Sequence, residues 1–303
     1  MRLSALAIAV LIPSSAFAAK DTTFHLIDPK CVGLTQPANY DEQTQADFAQ
    51  NFFALSASYS PIHAAIPHAS GHGSISIDVS ILPPLSCGQR YVLDWTKTED
   101  TNKSPILPKV GAGFSFPTLG KIVVPYASVA FFPPIPFNGT RNYVLSGEIG
   151  LGIHAHEFID VGGRLHTSII RTYGDIAGAF TAADPVVEDV YAGTTWGVDA
   201  LISAPLHAGK QDLSPYISVG YLNASTFFLI GDDRYVGNNL HPYSGVAFSG
   251  GLDALFAKHF RFGAEFYGAP GGYSKPDKTA ADVTPGSRYG HIYTGRLRLG
   301  VEF

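Results

Sequence analysis

The stretch from Tyr289 to Phe303 constrains the fold more than any other part of the chain. Side chains alternate across a strand with a period of two. An extended backbone here therefore puts Tyr293, Gly295, Leu297, Leu299, Val301 and Phe303 on one face and Thr294, Arg296, Arg298, Gly300 and Glu302 on the other. One face is apolar and the other is charged. A helical period would mix the two sets, so the stretch reads as a strand that divides an apolar environment from a polar one.

The same alternation recurs from Gly73 onward, broken by turns. It predicts strands at about 73–82, 107–117, 121–132, 142–154, 158–172, 190–204, 213–228, 243–256, 259–268 and 289–303. Short connections at Pro117–Gly120, near His156, near Gly209 and at Ala257–His259 alternate with long ones at Pro83–Ile106, Thr172–Glu188, Gly231–Pro242 and Ala269–Arg288. An even number of antiparallel strands with short turns at one end and long loops at the other is the plan of a membrane-spanning β-barrel. The apolar sets would then face outward: Val246, Phe248, Gly250, Leu252 and Ala254; Phe260, Phe262, Ala264 and Phe266; Trp196, Val198, Ala200 and Ile202; Leu145, Ile149 and Leu151. Arg or Lys on the lipid face at mid-depth costs about 2–4 kcal/mol. The intervening charges therefore belong in the lumen: Glu148, Asp160, Arg164, His166, Asp199, Asp253, Arg261, Glu265, Arg296, Arg298 and Glu302. About ten strands enclose little more than their own side chains, so these charges are expected to pair into a packed core around at most a narrow passage.

The beginning of the chain reads differently. Arg2, the apolar run Leu3–Ile12 and Ala16-Phe17-Ala18 form a signal peptide over residues 1–18, because the run is too short to span a bilayer and ends in a small-residue cleavage site. Export through an oxidising compartment favours a disulfide between Cys31 and Cys87. Residues 19–72 form a separate segment before the barrel at 73–303. In it, Asn39 with Glu42 caps a helix of about Asp41–Ser56 whose Phe48, Phe52 and Leu55 share a face. Topology places Cys31 and Cys87 at opposite ends of the first strand, so a bond between them requires residues 20–72 to thread the lumen as a plug. His63, His68 and His72 fall in a Pro/Ser/Gly-rich stretch and are expected as solvated loop residues.

The terminal residues Tyr293, Leu297, Leu299, Gly300, Val301 and Phe303 resemble the C-terminal signal of Gram-negative outer-membrane β-barrel proteins. With the signal peptide, the chain resembles that family over about Gly73–Phe303. The resemblance implies an all-β fold, an antiparallel up-and-down transmembrane barrel of about ten strands with a short N-terminal helical segment. It also implies the cell outer membrane as location, outer-membrane lipid and lipopolysaccharide as surroundings, and the barrel-assembly machinery as partner. Gly 32, Tyr 15 and Phe 20 suit such a barrel, and a formal net charge of -5 argues against a nucleic-acid partner. The expected function is non-enzymatic: a structural or surface-interaction role, or a narrow channel. One alternative is a plugged channel for small hydrophobic molecules, similar in general plan to fatty-acid transporters. A second is an outer-membrane lipid hydrolase, since His166-Thr-Ser168 is similar to a His/Ser pair of lipid A deacylases; alternation turns that pair inward, away from lipid. His154, His156 and Glu157 fall at a turn, and no metal site or cofactor is expected.

Overall fold

Ten antiparallel strands form one closed wall: β1 Gly73–Ile81, β2 Ile106–Ser115, β3 Val123–Phe132, β4 Thr140–His156, β5 Ile159–Gly174, β6 Asp189–Ser203, β7 Gln211–Ile230, β8 Ser244–Phe256, β9 Phe260–Pro270 and β10 His291–Glu302. Each pairs with the next, and β1 pairs with β10 from Ser74 opposite Glu302 to Ile81 opposite Gly295, so no barrel edge is left open. The computed structural model describes residues 42–81, 91–92, 97–99, 106–132, 136–137, 140–174, 177–178, 189–209, 211–230, 235–240, 242–270 and 291–303. The expected signal peptide and the two cysteines, Cys31 and Cys87, with the bond expected between them, lie outside these residues.

The wall is inverted relative to that of a protein folded in water. Leu299 is 63% exposed, while Arg298 next to it is 2% exposed. Ile149, Ile217, Val219 and Trp196 likewise stand on the exposed face, while Glu148, Ser218 and Thr195 beside them are buried. Such an apolar outer belt is stable only against lipid. The chain is therefore a membrane-spanning barrel of the outer-membrane type. Two small outward residues, Ala254, opposite Leu213 and Phe262 on the flanking strands, and Ala192 near the start of β6, depart from the pattern and are covered.

The short turns are tight, as the two-sided register demands. Between β8 and β9, Ala257 and Lys258 take positive φ of 50° and 66°, and the His259 N–H donates to the Phe256 carbonyl at 3.1 Å. This primed turn matches the right-handed twist of the flanking strands.

The helix α1, Glu42–Ala57, lies inside the barrel. Its Phe48, Phe52 and Leu55 pack against Leu222 of β7, Ile292 of β10 and Tyr243, just before β8. On another side, Phe53 and Ala57 meet Val144, Ile170, Tyr191 and Phe228 of β4 to β7. α1 stops where Ser56 and Ser58 turn their hydroxyls onto the Phe52 and Leu55 carbonyls, at 2.7 and 2.8 Å, and Pro61 prevents resumption. From there to Pro67 the chain runs through the lumen without regular structure.

Candidate functional site

The lumen has two tiers. Toward the long loops it is mainly apolar and filled by α1, whose Asp47 and Asn51 also accept the Leu240 and Tyr243 N–H groups, each at 2.9 Å. Toward the short turns it is charged, and the irregular segment 58–68 passes through it.

Alternation along each strand brings the charges of the lower tier together. Glu148, Asp160, Arg164, His166, Asp199, Asp253, Arg261, Glu265, Arg296, Arg298 and Glu302 are all buried on the inner face. Arg164 Nε donates to Asp199 Oδ2 at 2.7 Å, and its Nη1 lies 3.8 Å from Glu148 Oε1. Asp199 also faces His166 Nε2 at 3.3 Å. Around the wall, Arg296 meets Glu265 at 3.4 Å, Arg298 meets Asp78 at 3.2 Å, and Arg261 lies between Glu302 at 3.2 Å and Asp253 at 3.5 Å. Opposite charges taken out of water are tolerable only when paired and hydrogen-bonded. Sequence reasoning had missed Asp78 and Lys109 as inward groups. The first was available from the alternation of Ile75, Ile77, Val79 and Ile81, whereas Pro108 and the glycines of β2 obscure the second.

These cations bind the inner segment as well as the wall. An irregular backbone buried away from water must find partners for its carbonyls, and the wall supplies them. Lys109 Nζ donates to the Ala57 and Ser58 carbonyls at 3.0 and 3.3 Å. Arg296 donates to the Ser60 carbonyl at 3.1 Å, Arg164 to that of Pro61 at 2.8 Å, Arg298 to that of Ile62 at 3.0 Å, and Arg261 to that of Pro67. In return, the Ala64 and Ala65 N–H groups donate to Asp253 Oδ2 and Ser203 Oγ, each at 3.2 Å. Wall glycines make room for the segment: a Cβ on Gly152 would come 2.4 Å from Ile66, one on Gly263 2.8 Å from Ile62, and one on Gly162 3.0 Å from the Ala65 carbonyl oxygen.

His63 and His68 are not the solvated loop residues expected from composition. Both are buried. His63 Nε2 faces Glu148 Oε1 at 3.1 Å and its Nδ1 lies 2.6 Å from the Ala64 carbonyl, while His68 lies 3.3 Å from Glu302 Oε2 and 3.3 Å from Ser74 Oγ. The correction has a simple cause, since the Pro/Ser/Gly-rich segment enters the lumen, where wall carboxylates meet it. His72, past the rim, stays exposed.

Burial pushes the His68 imidazole down to about 4, against the opposing pull of Glu302. A histidine whose folded pKa is depressed destabilises the folded state on acidification. Its contribution is constant above about 6.5 and is lost as pH falls from there toward 4. Wild type should therefore lose on the order of 3 kcal/mol relative to His68→Gln across that window, read as the difference between their urea-unfolding free energies in lipid at each pH.

His166 and Ser168 share the inner face, but the Ser168 hydroxyl accepts the Tyr59 N–H at 2.9 Å and lies 3.0 Å from Ser146 Oγ. His166 Nδ1 has no hydrogen-bond partner among the described residues. His154 pairs with Asp160 at 2.8 Å, and no group of His, Cys, Asp and Glu among the described residues is arranged to hold a metal ion. At the C-terminus, Tyr293, Leu297, Leu299, Val301 and Phe303 are exposed on the lipid face and Gly300 lies between them. Phe303 is anchored by reciprocal backbone hydrogen bonds with Gly73, at 2.9 and 3.0 Å.

No protein-family model matches the sequence, and no curated protein matches it. Among solved structures, the translocator domain of the autotransporter NalP from Neisseria meningitidis is similar with a TM-score of 0.38 and 13% identity, over 78% of this chain and 89% of that one. The toluene transporter TodX of Pseudomonas putida is similar with a TM-score of 0.33 and 11% identity, over 84% and 75%. LpxR from Salmonella typhimurium is similar with a TM-score of 0.30 and 11% identity, over 76% and 99%. Likeness at this level assigns neither activity nor ligand to the chain.

Proposed function

We propose that the chain is a non-enzymatic outer-membrane channel for small apolar molecules, closed by residues 42–72 as an internal plug. The observation that carries this reading is the division of the lumen. A channel for ions or sugars is polar along its length, whereas here the half of the wall that faces the long loops carries Val144, Leu222, Tyr267 and Ile292 against the plug. The lower half holds the plug by hydrogen bonds from wall side chains to plug carbonyls. Water can take over these hydrogen bonds from charged groups at a net cost of about 1.5–3 kcal/mol each, so the closure can open without unfolding the wall. Phe303 and the alternating residues before it are proposed as the signal read by the barrel-assembly machinery. The Ser168 hydroxyl, engaged by the plug backbone, supports a structural role for that residue over a nucleophilic one.

The test is to lock the plug. A Cβ on Gly162 would lie 3.4 Å from the Ala65 Cβ, close to disulfide geometry once the segment gives by a few tenths of an ångström at the Ala65 carbonyl. With Cys31 and Cys87 replaced by serine, Ala65→Cys/Gly162→Cys should form a bond under oxidation. Cells producing the locked barrel are expected to accumulate radiolabelled naphthalene no faster than cells without the protein, with uptake restored by reductant. Equal uptake by locked and unlocked barrels would refute the gated channel.

A further inference from the structure

Among the described residues, the helix inside the barrel carries one buried polar side chain that the fold leaves unused. Gln50 is 1% exposed, and neither its amide nitrogen nor its amide oxygen has a hydrogen-bond partner among the described residues. Its position is fixed. Its carbonyl accepts the Tyr191 hydroxyl at 2.9 Å, and it lies on the same stripe of α1 as Phe53, three residues on, and Ala57, seven residues on. Phe53, Ala57 and Tyr191 belong to the apolar cluster with Val144, Ile170 and Phe228. The stripe that carries the amide thus faces this apolar cluster, with the buried Asp189 two residues before Tyr191 on the same face of β6.

A buried amide that makes no hydrogen bond destabilises the fold, and leucine or methionine would serve packing better at such a position. Small-molecule sites have this composition, mostly apolar walls with one or two polar groups that fix the ligand's orientation. We propose that Gln50 is the recognition residue of a binding site, between α1 and the inner faces of β4 to β6, for a small apolar molecule that carries one hydroxyl or carbonyl group. The carboxamide can donate to a carbonyl or accept from a hydroxyl, and the apolar cluster takes the remainder of the molecule. Tyr191 is the third residue of β6, which begins at the long-loop end. The site thus lies toward the long loops. Thr195 Oγ1, also buried and unpartnered among the described residues, lies four residues further along the same face of β6 and offers a second hydrogen-bonding position on the way down.

This inference rests on the channel reading and names its solute class. The test compares wild type with Gln50→Leu and the nearly isosteric Gln50→Met. The full chain is used in detergent, with benzyl alcohol and ethylbenzene as probes of almost equal size. Partition into micelles is common to all three proteins and cancels in the ratios. Wild type is expected to bind benzyl alcohol about tenfold more tightly than either variant, the worth of one well-made hydrogen bond in a buried site. Ethylbenzene should show no such loss, and both variants should melt at a higher temperature, since they remove an unpaired amide. Equal affinity of benzyl alcohol for all three proteins would overturn the proposal and leave Gln50 with internal hydration only. So would absence of binding by either probe. Naphthalene uptake through the unlocked barrel does not depend on a hydrogen bond. Failure of the benzyl alcohol preference with uptake intact would therefore remove Gln50 alone and leave the channel standing.

Discussion

Arg164→Ala is expected to destabilise the barrel by about 3–5 kcal/mol, the usual cost of removing one partner from a buried ion pair. Arg164 is 2% exposed and uses its whole fork: Nε on Asp199, Nη1 on the Pro61 carbonyl with Glu148 nearby, and Nη2 on Ser60 Oγ at 2.6 Å. Truncation leaves Asp199 buried with His166, and Glu148 buried with His63 and the Ser128 hydroxyl, and it frees two plug contacts at once. Arg164→Lys should recover only part of the loss, because an ammonium cannot reproduce the planar fork. Arg164→Ala/Asp199→Ala should be milder than the sum of the single changes, since the second removes the charge the first strands. The measurement is urea unfolding in lipid, together with protease cleavage of the 58–68 segment. A loss below about 1 kcal/mol with cleavage unchanged would mean that the pair is effectively solvated and that the lower tier does not hold the plug.

The wall was legible in the sequence because each strand separates two unlike environments. Where lipid lies on one side and a charged interior on the other, a shift of one residue exchanges every side chain. The alternation of Leu297 and Leu299 with Arg296 and Arg298 therefore fixed the faces of β10, and the pattern Ile149–Leu151 around Glu148 did the same for β4. Strand limits followed to within a few residues, as in β5, expected at 158–172 and found at Ile159–Gly174. The lumenal helix, expected at about Asp41–Ser56, runs from Glu42 to Ala57.

Partners in the lumen were less legible. That Arg298 faces Asp78 while Arg261 faces Glu302 depends on register accumulated around the closed wall, and no single strand encodes it. Contacts from Arg164, Arg296 and Arg298 to the Pro61, Ser60 and Ile62 carbonyls leave no trace in residue identity, because every residue carries a carbonyl. His63 and His68 were misplaced for a related reason. An irregular segment in water and one threaded through a polar lumen share the same Pro/Ser/Gly-rich composition, and only the carboxylates waiting on the wall tell them apart. Gln50 gave no signal, since its lack of a partner appears only once α1 is seated against the wall.

Removing the plug is expected to convert a silent barrel into a conducting one. The wall closes through its own strand pairs, including β1 with β10, so it does not require residues 42–72 for its hydrogen-bond ladder. A ten-stranded barrel lies between eight strands, which side chains just fill, and the wide porins. Without α1 and the 58–68 segment, the side chains that now pack against them, from Leu222, Tyr243 and Ile292 above to Lys109, Arg296 and Arg298 below, would line a narrow water-filled passage. The direct test is planar-bilayer recording of wild type and of a variant lacking residues 42–72, each first shown to be a folded barrel by its strand content and heat-modifiable gel mobility. The expected result is no steady current from wild type and discrete open steps from the variant. Equal conductance from the two, or a folded deletion variant as silent as wild type, would contradict the plugged-channel account.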